Sequence, residues 1–221
     1  MELFIENDLD AAAFSKIKSY GMIGEFKKNQ IIIEQGQNID RLYLIDKGFG
    51  KLSLLSEDGR SHIIGYCGSM SWISEFFYLS GGTESNYGVE AATDVVSYIF
   101  DRFSMEKVLD QYEVAFSLGQ SAIKKCILAE NKIKSICFSS VEKRIIWVFR
   151  NFIEKFGIKC NEGILMNFYV SRKDIAELSA CSIEMVDLFL KTSKKNLIIV
   201  RVNDKFLIQN PEALWKGGIL C

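Results

Sequence analysis

Between positions 24 and 100 the apolar residues come in short runs broken by turn-forming residues, and from about Met105 that pattern stops for thirty residues. The runs 31–34, 41–46, 50–56, 61–66, 87–91 and 95–100 have strand length. The separators Gln35-Gly36-Gln37, Asp46-Lys47-Gly48, Glu57-Asp58-Gly59-Arg60 and Gly68-Ser69 have turn chemistry. Asp58-Gly59, between two such runs, is a strong hairpin signal because both residues tolerate positive φ. Many short strands with frequent glycines predict an antiparallel barrel or jelly-roll-like β-roll, an architecture that often encloses a cavity. Residues 72–83 differ: a short apolar helix followed by Gly81-Gly82 has the form of a ligand cassette inserted between the fourth and fifth strands.

The stretch from about 105 to 136 holds no proline and a single glycine, Gly119, and predicts one long helix. Leu118, Ala122, Cys126, Ala129, Ile133 and Ile136 recur at steps of 4, 4, 3, 4 and 3, a seam close to the 3.5-residue repeat of paired helices. Lys124, Lys125, Glu130, Lys132 and Lys134 fall off that seam. The seam predicts a parallel dimerisation helix; the alternative is a helix packed only on its own barrel. Cys126 on a two-fold seam could face its symmetry mate and form a disulfide, against the alternative of a reduced thiol acting as a small apolar residue. Ser139 and Glu142 have the spacing of a capping box for a new helix.

That helix, 142–156, carries Ile145, Val148, Phe149, Phe152 and Ile153 on one face and stops at Gly157. A short strand follows at 163–168. Ser171 then caps a helix with Asp174 at its third position, and Ile175, Ala176 and Leu178 supply its inner face. Small Ala180 and Cys181 suit a tight turn. Ser182 caps a second helix whose inner face is Val186, Phe189 and Leu190. Two short capped helices joined tightly have the helix-turn-helix form, and 196–202, Asn203-Asp204 and 205–209 add a hairpin wing.

Composition supports folded domains of this kind. Apolar residues are 48% of 221 and charged residues 25%, enough for a sizeable core in one or two domains. No apolar run reaches membrane-spanning length, and the acidic start MELFIENDLD lacks the basic region of a secretory signal, so a cytoplasmic protein with no membrane partner is expected. The six cysteines, at 67, 126, 137, 160, 181 and 221, include no CxxC pair. They read as reduced thiols, Cys181 as packing and Cys221 as an exposed tail. With His62 as the one histidine, multi-histidine metal sites are impossible, and no phosphate-loop or dinucleotide glycine motif occurs; an enzyme, a metal and a cofactor are all unexpected. Residues 1–137 carry 14 basic against 19 acidic side chains and 138–221 carry 13 against 9, so the back of the chain is basic, as a nucleic-acid partner requires.

The order of parts, with RLYLIDKGFGKLSLLSEDGR at 41–60, WISE at 72–75, SRKDIAELSACSIEMV at 171–186 and LIIVRVNDKFLIQNPEAL at 197–214, resembles the Crp/Fnr family of bacterial transcription regulators over residues 22–212. The resemblance implies an α+β chain: an effector-sensing β-roll at 1–104, a dimerisation helix and hinge at 105–137, and a winged helix-turn-helix at 138–221. It implies a homodimer that binds palindromic DNA, answers to a small effector and, in many members, touches RNA polymerase. The alternative is an effector-binding dimer whose degenerate helix-turn-helix acts through protein contacts. Aligned on the family's cyclic-AMP cassette, Glu75 takes the place of the ribose-binding glutamate, but Ser85 and Asn86 stand where an Arg-Ser pair would hold the phosphate. Ser74 replaces a glycine. An effector other than cyclic AMP, or none, is therefore expected, in a pocket of Ile64, Trp72, Glu75, Phe76, Ser85, Asn86 and Tyr87. The iron-sulfur subgroup needs an N-terminal cysteine cluster, whereas the first cysteine here is Cys67. His62, in a strand after a turn, reads as exposed rather than as a haem ligand. The second DNA helix would present Ile183, Glu184, Met185 and Leu188, with Glu184 as the one polar reader and Asp187 repelling phosphate. Ser171, Arg172, Lys173, Ser182, Lys191, Lys194 and Lys205 would contact the DNA backbone. Apolar residues where arginines are expected predict an A·T-rich site with weaker discrimination.

Overall fold

The computed structural model describes residues 2–216, so Cys221 lies outside the described residues. The chain divides into two compact units, Met1–Asn131 and Lys132–Cys221.

In the first unit the turn-punctuated runs form strands. In chain order the elements are β1 (Phe4–Ile5), α1 (Ala11–Ile17), β2 (Met22–Phe26), β3 (Ile31–Ile33), β4 (Leu42–Lys47), β5 (Gly50–Leu55), β6 (Ser61–Cys67), β7 (Trp72–Ile73), α2 (Glu75–Ser80), β8 (Gly88–Ala91), β9 (Val95–Phe100), α3 (Arg102–Leu109) and α4 (Tyr112–Phe138). One sheet has the order β1-β6-β5-β8-β3 and the other β2-β9-β4-β7. All pairs are antiparallel except β1 on β6, a parallel edge pair that strand signals did not foretell. The turn after β5 closes with Gly59 at φ 81°. Alternation along the strands sends Ile33, Ile45, Leu52, Val89 and Val95 into one apolar cluster, while Leu44, Trp72, Phe100, Val114 and Leu118 belong to a second.

The long helix differs from expectation in two ways. It is broken at Asp110-Gln111 into α3 and α4, with α3 starting afresh on Asp101, whose carboxylate accepts from the Ser104 amide. Its inward row is Val114, Leu118, Ser121, Lys125 and Leu128, at steps of 4, 3, 4 and 3. Leu118, assigned to the dimer seam, is buried in its own unit and is corrected: the true inward row runs through it, so it offers no surface to a second copy. Ala122 is half-buried, and Cys126, Ala129, Ile133 and Ile136 are exposed. Gly65 on β6 lets this helix approach closely. A β-carbon there would lie 2.6 Å from Leu128 Cδ2 and 2.8 Å from the Leu3 carbonyl oxygen, inside contact distance of both.

The second unit comprises the last turns of α4, then α5 (Val141–Phe156), β10 (Gly157–Cys160), β11 (Gly163–Met166), α6 (Arg172–Ser179), α7 (Ile183–Lys195), β12 (Ile199–Val202), β13 (Lys205–Ile208) and α8 (Pro211–Lys216). Its sheet has the order β10-β11-β13-β12. The cap of α5 is Ser140, not Ser139, and its hydroxyl accepts from the Lys143 amide. The apolar face of α5 is buried as its spacing requires, with Phe149 edge-on to Phe206 and stacked with Phe189. Each such ring contributes about 1.5–3 kcal/mol of apolar transfer. Ser171 and Asp174 form the full capping box of α6. Ala180 turns the chain with φ 48°, and Ser182 caps α7.

Candidate functional site

The residues assigned to an effector pocket separate into two groups. Glu75, Ser85 and Tyr87 are buried and close together, with Phe76 and Ile64 packed against the cluster that contains Tyr87. Asn86 is exposed, because its neighbours Ser85 and Tyr87 point inward and a strand-like segment alternates; its assignment to the pocket is corrected. The Trp72 ring belongs to the other cluster, and its indole N–H donates to Ser117 Oγ at 2.8 Å, so only its backbone faces the pocket.

The residue that completes the group is Lys125. Off the expected seam of its helix, it is 5% exposed and reaches inward. Its ammonium donates to Glu75 Oε1 at 2.5 Å and to the Trp72 carbonyl at 2.7 Å, and stands 5.8 Å from the Tyr87 ring centroid. Ser121, one turn earlier, donates to the same Glu75 oxygen at 3.2 Å. Burial by itself would lower the affinity of Lys125 for its proton. The Glu75 carboxylate more than offsets that, and the ammonium is held above its ordinary range. Burial pushes the Tyr87 hydroxyl up and the Cys67 thiol up to about 12, so both stay neutral. Ser85 Oγ donates to the Tyr87 carbonyl at 2.6 Å, and the Tyr87 hydroxyl accepts from the Ser74 amide at 3.3 Å. Ser74 itself is left-handed, at φ 78°, where glycine is the unstrained choice. Its hydroxyl and Glu75 Oε2 are buried with no partner among the described residues.

In the second unit, Ile183, Glu184, Met185, Leu188 and Lys191 lie on the exposed face of α7. Glu184 stays ionised easily, the Ser182 hydroxyl holding its carboxyl below the usual range. Several assigned phosphate contacts are engaged within the chain. Arg172 pairs with Asp187 at 2.8 Å, Lys173 lies 3.7 Å from Glu177, and Lys205 donates to Asn167 Oδ1 at 2.5 Å. Asp187 is thus neutralised rather than left to repel phosphate. The Ser171 hydroxyl is committed to its capping box and that of Ser182 to the Met185 amide. Arg172, Lys191, Lys194 and Arg201 together line a surface groove that contains the one carboxylate of Asp187.

Sequence reasoning missed two further cations. Lys132 is buried and donates to the Leu178 carbonyl at 2.6 Å from above the Trp147 ring. Arg144 donates to the Ser179, Ala180 and Ser139 carbonyls. Between them they satisfy the carbonyls at the end of α6. The signal for Lys125 and Lys132 was present in the spacing: both continue the row of Val114, Leu118 and Leu128. His62 is half-buried in β6 rather than exposed. Cys126, Cys137 and Cys160 are exposed, Cys181 is half-buried and Cys67 is buried. Among the described residues no three histidine, cysteine or acidic side chains gather as a metal site, and no helix is long and apolar enough to cross a membrane.

Comparison with known proteins finds likeness over most of the chain. Residues 23–112 match the family described as cyclic nucleotide-binding domain. The cAMP-activated global transcriptional regulator CRP of Salmonella typhimurium is 23% identical over 184 residues, 81% of this chain and 86% of that protein. The chain is homologous to CRP-family transcription regulators. A second relative, the anaerobic regulatory protein of Bacillus subtilis, is 18% identical over 91% of this chain and 85% of its own length. The fold is that of the c-di-GMP responsive global regulator CLP of Xanthomonas campestris, with a TM-score of 0.82 at 16% identity over 91% of this chain and all of that one. A CRP-family transcriptional regulator from Thermus thermophilus aligns with a TM-score of 0.76 at 18% identity, covering 88% of this chain and 95% of that one. These relatives carry the names of regulators.

Proposed function

We propose that the chain is a homodimeric, sequence-specific DNA-binding transcription regulator whose β-roll does not answer to cyclic AMP. The observation that carries the reading is the outer face of α7. A capped helix, set by a tight turn on a second capped helix, leaves Ile183, Glu184, Met185 and Leu188 exposed beside a groove lined by four cations. Apolar side chains grouped on one exposed helix face mark an interaction surface, and thymine methyls in a major groove would cover this one. The wing, β12 and β13, adds Lys205 and Arg201 to the basic side. Dimerisation is supported by the outward face of α4, where Phe116, Ile123, Ile127 and Ile133 are each more than half exposed. The pocket lacks a buried arginine for a cyclic phosphate, and Lys125 already holds Glu75. The reading includes a place in the cytoplasm, no membrane partner and, as the family resemblance implies, RNA polymerase as a further partner.

Selection from a random DNA pool with the purified full chain tests this. A recovered palindrome, A·T-rich opposite Ile183 and Leu188, is the expected result. Recovery of no sequence with or without candidate effectors transfers the reading to an effector-binding dimer that works through protein contacts. The Arg172–Asp187 pair, which occupies a cation otherwise free for phosphate, is the observation in that reading's favour.

A further inference from the structure

The surroundings of the Lys125 ammonium have the composition of a recognition site for a primary amine. A buried carboxylate oxygen and a backbone carbonyl accept two of its protons, and an aromatic ring lies to one side. Each wall comes from the β-roll: Glu75 opens α2, Trp72 lies in β7, and Tyr87 directly precedes β8. The amine comes from α4. Two of the polar groups that could read a soluble molecule are turned on the chain itself, while Ser74 Oγ and Glu75 Oε2 stay buried without a partner among the described residues. Glu75 Oε1 is shared by Lys125 and Ser121, and the Ser85 hydroxyl is spent on the Tyr87 carbonyl.

Charge closes the site further. Glu75 and Lys125 cancel, and Tyr87 and Cys67 remain neutral. The remaining nearby acid, Asp8, is paired with Lys124. An entering anion would either stand as an uncompensated buried charge or strip Lys125 from Glu75 and leave that carboxylate alone, and both are costly in a dry interior.

We propose that Lys125 is a tethered effector: its ammonium fills the amine site of the β-roll and holds α4 in the DNA-binding state, so that the regulator acts without a soluble ligand. The inference rests on the regulator reading above and adds the identity of the occupant. It predicts that cutting the tether leaves a site for a free primary amine. Lys125→Ala removes three carbons and the nitrogen, the outline of n-propylammonium.

The test uses the full chain, verified as ligand-free by native mass spectrometry. Titration calorimetry reads occupancy and fluorescence anisotropy on the selected DNA site reads the consequence. The wild-type chain is expected to bind DNA with no additive and to be unchanged by cyclic AMP. Lys125→Ala should bind DNA at least tenfold more weakly, take up n-propylammonium at millimolar concentration, and regain most of the lost affinity with it, while 1-propanol does neither. The proposal is overturned if Lys125→Ala binds DNA within twofold of wild type, if the amine does not bind it, or if the wild-type chain needs an added small molecule. Should Lys125→Ala not fold, Glu75→Gln with Lys125→Met removes both charges and leaves no buried ion. That double variant should fold and bind DNA at least tenfold more weakly, and full affinity in it overturns the proposal. If the wild-type chain selects no DNA at all, the regulator reading fails by itself, and calorimetry still decides whether the amine site exists.

Discussion

Lys132 offers a quantitative test of the second unit. Its side chain is 5% exposed, its ammonium has one carbonyl acceptor, and the cation nearest in effect is Arg144. Burial, and after it the Arg144 charge, push its proton affinity down from the ordinary 10.5 to about 7. In the unfolded chain the group titrates at its ordinary value. Between about pH 7 and pH 10.5 the unfolded chain therefore holds a proton that the native chain lacks. Unfolding free energy consequently rises with pH across that window, by up to about 1.4 kcal/mol per unit. Below pH 7 both states are protonated and the full cost of the buried cation is present. The drop from 10.5 to about 7 makes that cost about 5 kcal/mol at most. Lys132→Met keeps the bulk, removes the charge and loses the hydrogen bond to Leu178, worth about 1–3 kcal/mol. The variant should thus be about 2 kcal/mol more stable than wild type at pH 6 and about 1–3 kcal/mol less stable near pH 10. Urea unfolding followed by tryptophan fluorescence, with Trp147 directly under the ammonium, measures both. The difference between the two proteins cancels the titration of every other group. A difference that stays flat within about 0.5 kcal/mol from pH 6 to pH 9.5 would refute a buried ammonium at this position.

Other outcomes follow from single contacts. Ser74→Gly relieves a left-handed non-glycine residue and deletes a buried hydroxyl without a partner, so the first unit should gain about 1 kcal/mol in urea unfolding; an equal loss would mean that the hydroxyl has a role. Ile123→Glu places a charge on the outward face of α4, where Ile123 is 60% exposed in the single chain. It should shift sedimentation from dimer to monomer and leave the circular dichroism of the fold unchanged. Glu184→Ala should relax preference at one base pair per half-site in a full binding-site selection, a discrimination of about 1–3 kcal/mol; an unchanged profile would show that Glu184 reads no base.

The amino-acid sequence by itself determined the local structure. Ser171 with Asp174, and Ser182, could be read as caps because a cap is a contact between residues three apart. The apolar face of α5 was legible from helical spacing, and the hairpins from turn residues whose backbone requirements are local. From the parts in order came the likeness to a regulator family. Placing Asn86 in the pocket was an error that strand alternation from Tyr87 already contained.

Tertiary structure decided the phase of α4 and everything that depends on it. Leu118, Ala122, Cys126, Ala129, Ile133 and Ile136 form one apolar row, and Val114, Leu118, Ser121, Lys125 and Leu128 form another, crossing it at Leu118. Hydrophobicity favours the first row, since lysine and serine are ordinarily solvated. The second turns inward because the β-roll holds a carboxylate, Glu75, that is itself buried and needs a cation, and because Gly65 admits Leu128 against β6. A buried charge is compensated by a partner fifty residues away, and no local pattern carries that distance. The same holds for Lys132, whose acceptor is a backbone carbonyl 46 residues on, exposed by the end of a helix and invisible as a side-chain type. Sequence sets which groups must be satisfied, and only the folded chain brings their partners within 3 Å.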